Sequence, residues 1–284
     1  MGLWLGLART VLIYLAPAIS NVIWGAGGIV AKLGIVDANP LLFLLIRAGI
    51  AGPFLSAVAF IIHRELPAPA FWPRTLLGGV TVFFDQCFYI VGIKISSGTT
   101  SALWQPTQPI FACALAIVIG MERFSLLKVI GIVVGAAGAM FASVYGVEDS
   151  GVSSERLLYG SLCFFINCSG AAMYAIVAKR LLELSKYSTL SVLGWSSTVA
   201  AALSAAITTA CGSSPAARVC LVASRTAASC IWSLGYFLVM NSMLAYGLNA
   251  WAVRHAPPSV VTNFCVLQPV VAIALSLVLL SIDH

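Results

Sequence analysis

The chain has 284 residues, of which 61% are hydrophobic and 8% charged, with a formal net charge of +6. Soluble domains carry about 25% charged residues, so these proportions exclude an ordinary soluble globular protein. The basic residues are scattered among short loops, with no Lys/Arg run able to track a phosphate backbone, which argues against nucleic acid as a partner.

Apolar runs of about 20 residues or more can cross roughly 30 Å of hydrocarbon as helices. Nine such runs are expected to span the bilayer: about 11–33, 41–62, 75–95, 98–120, 126–145, 158–179, 188–210, 228–252 and 258–280. The predicted class is an all-α polytopic membrane protein. The longest connections, about 146–157 and 211–227, are too short to be domains, so any activity belongs to the bundle or its rims.

The first run follows "MGLWLGLART" and continues unbroken through "NVIWGAGGIVAK", which reads as a span and not as a cleavable leader. Asn21, Trp24, Gly28 and Lys32 share one helical face there. The second run holds Arg47 and the third Asp85, which shares a face with Tyr89, Gly92 and Ser96. An ionisable group in hydrocarbon costs about 2.5–3.5 kcal/mol on insertion scales, so each needs a partner or water. The simplest expectation is that Arg47 and Asp85 pair and hold two helices together, with Arg47 also near enough to the outer surface to snorkel. The functional alternative is that Asp85 binds a proton, with Arg47 tuning it or meeting an anionic group.

The fourth run contains "WQPTQPIF", whose two amides and two prolines are ill suited to lipid. Ser101, Gln105, Gln108 and Ala112 fall on one face. At 1.5 Å per residue Gln108 lies ~14 Å from the outer end of its helix, near the midplane. Pro106 and Pro109 predict kinks, and Pro109 frees the carbonyl of Gln105. Freed backbone groups at membrane depth are tolerated only against protein or a watery cavity. In the fifth run, Gly131, Gly135 and Gly138 form a small-residue face for helix packing within the chain, with a second copy as the alternative partner, making a homodimer. Tyr174 follows Asn167 by seven residues in the sixth, and Ser242, Tyr246 and Asn249 align in the eighth. The ninth repeats the offence with "VLQPVVAI", where Pro269 predicts a kink that frees the carbonyl of Cys265.

With the N-terminus cytoplasmic, nine basic residues fall inside (Arg9, Arg64, Arg74, Arg123, Lys128, Lys179, Arg180, Lys186, Arg254) and five outside (Lys32, Lys94, Arg156, Arg218, Arg225). The positive-inside rule favours that orientation. The eight cysteines include no Cys-x-x-Cys, so no metal site or cofactor is implied. Cys211 and Cys220 flank one loop and could pair in an oxidising compartment, although two free thiols is the simpler reading.

The chain repeats itself. "IVAK" occurs at 29–32 and again at 176–179, and "GIKISSGTTSALWQPTQPIFACALAIVIG" aligns with "AVRHAPPSVVTNFCVLQPVVAIALSLVLL". That register sets Gln108-Pro109 against Gln268-Pro269. A five-helix unit crosses an odd number of times, so its second copy enters from the opposite side, giving inverted repeats at 11–146 and 157–284. The second repeat ends at "SIDH" after its fourth span, so a tenth helix is expected to be missing.

The residues "IWGAGGIVAKLGI", Arg47 within "FLLIRAGIAG", "SGTTSALWQPTQPIFACALAIVIGMERFSLLKVIGIVVGAAG" and "LNAWAVRHAPPSVVTNFCVLQPVVA" resemble the EamA-type drug/metabolite transporters, in the manner of the plant nodulin-like group, over about 11–282. The resemblance implies ten helices and a central substrate cavity. It also implies a secondary transporter that moves a small organic metabolite (an amino acid, organic acid or related amphipathic solute) by alternating access, in a plasma or organelle membrane. The candidate substrate-binding residues are Trp24, Tyr89, Trp104, Gln105, Gln108, Tyr174, Tyr246, Asn249 and Gln268, because aromatic walls with a few orienting amides suit such a solute. No Walker A sequence is present. The alternatives are a non-transporting truncated paralogue and a membrane-embedded lipid-modifying enzyme. Against the enzyme, His63, His255 and His284 all lie at rims, far from a second acidic residue.

Overall fold

A computed structural model describes residues 2–35, 39–121, 125–127, 130–131, 134, 153–184, 187–210 and 226–282. The expected fifth span, Gly135 and Gly138 with it, falls almost wholly outside these residues, as do Cys211 and Cys220. The described chain is helical. α1 runs Gly2–Ile35, α2 Pro40–His63 and α3 Trp72–Ile95, entered through a 3-10 turn at Pro69–Phe71. α4 (Gly98–Trp104), a 3-10 turn (Gln105–Thr107) and α5 (Gln108–Val118) follow. α6 is Ser154–Leu184, α7 Thr189–Ala210 and α8 Thr226–Tyr236. A π-helical stretch at Phe237–Ala245 leads into α9 (Tyr246–His255). α10 (Pro258–Thr262), a 3-10 turn (Asn263–Val266) and α11 (Leu267–Ile282) complete it.

Among the described residues, seven segments are long and apolar enough to cross a membrane: Val11–Lys32, Pro40–His63, Pro69–Ile95, Ser154–Leu184, Thr189–Ala210, Ser229–His255 and Pro258–Leu275. The nine expected spans are therefore not all found. The fourth run is helical over 98–118 but in three pieces, because Pro106 and Pro109 each remove a helical N–H. The 3-10 turn repairs part of the loss, since the Gln108 N–H bonds the Gln105 carbonyl that Pro109 cannot reach.

Local chemistry sets the ends. The Asn39 side chain accepts from the Leu41 N–H at 2.9 Å, with Pro40 at the first helical position of α2. Arg64 closes α2 in the left-handed region at φ 55°. At the head of α7 the Ser188 hydroxyl accepts from the Ser191 N–H at 3.1 Å. Glu65, from the α2–α3 connection, accepts from the Ser188 N–H at 2.8 Å and the Ser191 hydroxyl at 2.6 Å. Burial alone would raise the Glu65 pKa, but hydrogen bonds from Ser191 and Ser188 outweigh it and hold the carboxyl below its ordinary value.

Helices from early in the chain pack mainly on helices from late in it. α2 lies along α7, α3 against α6 and α7, and α1 against α11, α8, the π stretch and α9, while α5 rests on α6 and α10. Glycines permit the closest approach. A β-carbon on Gly52 would sit 2.6 Å from the Ser197 carbonyl oxygen, and one on Gly194 2.8 Å from the Ser56 nitrogen. The Ser56 and Thr198 hydroxyls bond between them at 2.7 Å. One apolar cluster fills the α2–α3–α6–α7 junction around Leu44, Val82, Phe83, Leu181 and Leu193. Elsewhere, large apolar side chains such as Ile61, Leu76, Leu158, Ile231 and Val270 face outward, as a lipid-facing surface requires. Gly131 has nothing within 4 Å of where its β-carbon would lie, so among the described residues its small size serves no close contact.

Candidate functional site

The bundle surrounds a cavity enclosing about 680 Å³ of space free of atoms, part of it open to solvent. The walls come from both ends of the chain: Asn21 and Trp24 from α1, Arg47 from α2, and Asp85, Gln86 and Tyr89 from α3. Gln105 and Gln108 project from the broken fourth run, and Asn167 and Tyr174 from α6. The π stretch gives Asn241, α9 gives Tyr246 and Asn249, and the last segments give Thr262, Cys265 and Gln268.

Eight of the nine expected cavity residues thus line one space. Trp104 is not among them. Its indole N–H donates to the Ser161 hydroxyl at 3.3 Å and its ring meets Phe165 edge-on at 6.5 Å, so it serves the α4–α6 contact. Trp24 and Tyr246 instead form an aromatic corner of the cavity, rings 5.2 Å apart and edge-to-face.

The direct pair expected of Arg47 and Asp85 is not how either charge is satisfied. Arg47 is 2% exposed, which also excludes snorkelling. Its Nε donates to the Ser242 hydroxyl at 2.8 Å and its Nη2 to the Asn241 Oδ1 at 2.7 Å, both in the π stretch. Its Cζ sits 4.9 Å from the centre of the Phe237 ring. Asp85 accepts from the Asn167 Nδ2 at 2.7 Å through one oxygen and from the Tyr246 hydroxyl through the other. The reason is geometric: residues on α6 and α9 reach Asp85 first, and neutral donors and acceptors solvate each charge separately.

The two Gln-Pro segments join different networks. The Cys265 thiol donates to the Gln108 Oε1 at 3.1 Å, and the Gln108 amide donates to the Gln105 Oε1. The Gln105 Nε2 donates to the Asn167 Oδ1 at 3.2 Å, and Asn167 donates onward to Asp85. Every donor in this row points the same way, toward the carboxylate. The Gln268 Nε2 donates to the Asn21 Oδ1 at 2.7 Å, and the Asn21 Nδ2 to the Pro17 carbonyl at 2.8 Å. The Tyr174 hydroxyl is buried in the cavity wall with no hydrogen-bond partner among the described residues.

Sequence reasoning left Asn21, Gln86, Asn167, Asn241, Thr262 and Cys265 out of the candidate set, although the cavity includes them. A usable signal existed for four of these, because Asn21, Gln86, Asn167 and Asn241 are amides set inside apolar runs. Among the described residues no cluster of three His, Cys, Asp or Glu could hold a metal ion. The site can solvate and orient a polar solute; it offers no evident nucleophile–base pair.

Residues 11–144 match the EamA-like transporter family. A WAT1-related protein of Arabidopsis thaliana is 22% identical over 295 aligned residues, covering 89% of this chain and 76% of that one. The uncharacterized transporter YoaV of Bacillus subtilis (strain 168) is 28% identical, covering 51% of this chain and 50% of its own. A protein of known crystal structure shares the fold with a TM-score of 0.66 at 18% identity, over 94% of this chain and 87% of the other.

Proposed function

We propose that this chain, an integral multi-pass membrane protein that belongs to the EamA-type transporters of the drug/metabolite transporter superfamily, carries a small organic solute through its central cavity by alternating access. The observation that carries the reading is the cavity wall itself. Eight amide side chains (Asn21, Gln86, Gln105, Gln108, Asn167, Asn241, Asn249 and Gln268) and one charge of each sign face a shared space inside an apolar bundle. Lipid would leave those groups unsatisfied, so their convergence is explained by a polar passenger or water. Trp24, Tyr89, Tyr174 and Tyr246 add the aromatic surface that an amphipathic solute needs.

Alternating access needs two halves that can exchange roles. The sequence register of Gln108-Pro109 with Gln268-Pro269 supports two repeats at 11–146 and 157–284 in opposite orientation. So does the pattern of packing. Gly52 against Ser197 is matched by Gly194 against Ser56. The α3–α6 contact is matched by α1 with α8, the π stretch and α9, and the α5–α6 contact by α1–α11. Each is the other with the halves exchanged.

The test is a solute screen by thermal stabilisation of the purified protein, followed by uptake in liposomes. Gln108→Ala and Gln268→Ala should remove the shift given by a transported solute while leaving expression intact. Equal shifts in wild type and both variants would move the binding site elsewhere.

A further inference from the structure

We propose that Arg47 is a positioning residue for the solute path: it holds Phe237–Ala245 in π register, and that register brings Asn241 and Tyr246 to one wall of the cavity. The proposal rests on the transporter reading and gives the buried cation a task that involves no contact with the solute.

Helical geometry makes the register legible. At 3.6 residues per turn, residues four apart on an α-helix differ by about 40° in direction and residues five apart by about 140°. A π-helix closes its hydrogen bonds one residue later, so residues five apart stack one above the other. The stretch is bonded that way at its end, where the Tyr246 N–H reaches the Asn241 carbonyl. Arg47 touches three of its residues at once. The Phe237 ring centre lies 4.9 Å from the Arg47 Cζ, the Asn241 Oδ1 2.7 Å from Nη2 and the Ser242 hydroxyl 2.8 Å from Nε. Phe237 and Ser242 are five apart, and on an α-helix they would point away from any common partner. One guanidinium serves all three only while the stretch is π-helical.

The cavity wall carries the same signature independently. Asn241 and Tyr246 are also five apart, and both line the cavity. Tyr246 there bonds Asp85 and meets the Trp24 ring edge-on. α-Helical winding between the two would turn one of them off that wall, and would carry Asn249 round with α9. Long π runs are uncommon and concentrate at functional sites, so nine residues of one need support from outside the helix. Arg47 supplies it from α2. On α1, the Ser20 hydroxyl donates to the last carbonyl of the stretch, that of Ala245, at 3.0 Å. A guanidinium, with its donors fixed in a planar fork, suits a grip on two acceptors in one geometry.

The test reads the register by labelling introduced thiols with a water-soluble reagent in the liposome-embedded protein, scored residue by residue by peptide mass mapping. In a Cys265→Ser background, Asn249→Cys reports the cavity wall. Gly247→Cys reports a direction off it, since Gly247 does not line the cavity and its β-carbon would meet nothing within 4 Å among the described residues. Arg47→Met keeps the bulk and removes the donors. It should slow labelling of Asn249→Cys about tenfold, as the wall-facing register becomes the minor one, and should quicken labelling of Gly247→Cys. Ser242→Ala, a milder cut that leaves the charge in place, should move both rates in the same directions about threefold. It decides the matter if Arg47→Met does not fold. Rates left unchanged, or rising together as in a loosened bundle, overturn the proposal. Counterflow separates this from the transporter reading. A protein whose labelling shifts as stated but exchanges no solute keeps the register and discards the transporter, and solute exchange with unshifted labelling does the reverse.

Discussion

The two Gln-Pro segments share that dipeptide and differ in what they are wired to. Gln108 and Gln105 belong to a row of donors that ends on the Asp85 carboxylate, on an element from the same half of the chain. Gln268 belongs to a short link that ends on the Pro17 carbonyl, a backbone group with no formal charge. Both links cross to an asparagine of the opposite half, Asn167 or Asn21. The difference is electrostatic: the row through Gln108 and Gln105 ends on a charged group, while the link from Gln268 through Asn21 is made of neutral groups throughout.

If that contrast is right, the largest effect should come from removing the charged terminus. Asp85→Ala strands the Asn167 amide, the Tyr246 hydroxyl and the nearby Arg47 charge, and should cost about 3–5 kcal/mol of stability, read from unfolding in detergent micelles. Asp85→Asn keeps the size and part of the hydrogen bonding, and should fall well short of that loss. Next come the links themselves. Gln105→Leu, which cuts a row polarised by a carboxylate, should cost about 1.5–2 kcal/mol, and Gln268→Leu, which cuts a neutral link, about 0.5–1 kcal/mol. Equal costs would mean that the carboxylate does not reach past Asn167.

The smallest effect belongs outside the membrane, at Glu65. Its folded-state pKa lies below the ordinary value, so its ties to Ser188 and Ser191 stabilise the fold above the ordinary carboxylate range and are lost as pH falls through the lowered pKa. Thermal unfolding should show a modest loss of stability in that acid window, and Glu65→Gln should flatten it. A Glu65→Gln profile that still falls as steeply would assign the acid sensitivity to another group.

Much of this architecture can be read in the chain. Apolar run length marks the helices, because hydrocarbon thickness fixes how many residues a span needs. The prolines of "WQPTQPIF" foretell the break between α4 and α5, since a missing N–H cannot be hidden. Helical periodicity sets Tyr246 with Asn249, and Asp85 with Tyr89, on inward faces. It cannot say which helix lies opposite. Arg47 meets Asn241 and Ser242, about 195 residues away, through a π-helical stretch whose sequence "FLVMNSMLA" carries no signal for that geometry. The same gap misplaces Trp104, whose ring turns toward α6. A better rule was available: an Asn or Gln set deep in an apolar run belongs to the cavity, and it recovers Asn21, Gln86, Asn167 and Asn241.

The central claim is that this cavity is the path of the solute. Asn249, half-buried in the wall, offers a direct probe. In a Cys265→Ser background, Asn249→Cys protein in liposomes should lose solute counterflow when a water-soluble thiol reagent is added, and saturating solute should protect it. Counterflow that survives complete modification of the introduced thiol, or modification that solute does not slow, would place the path elsewhere and contradict the account.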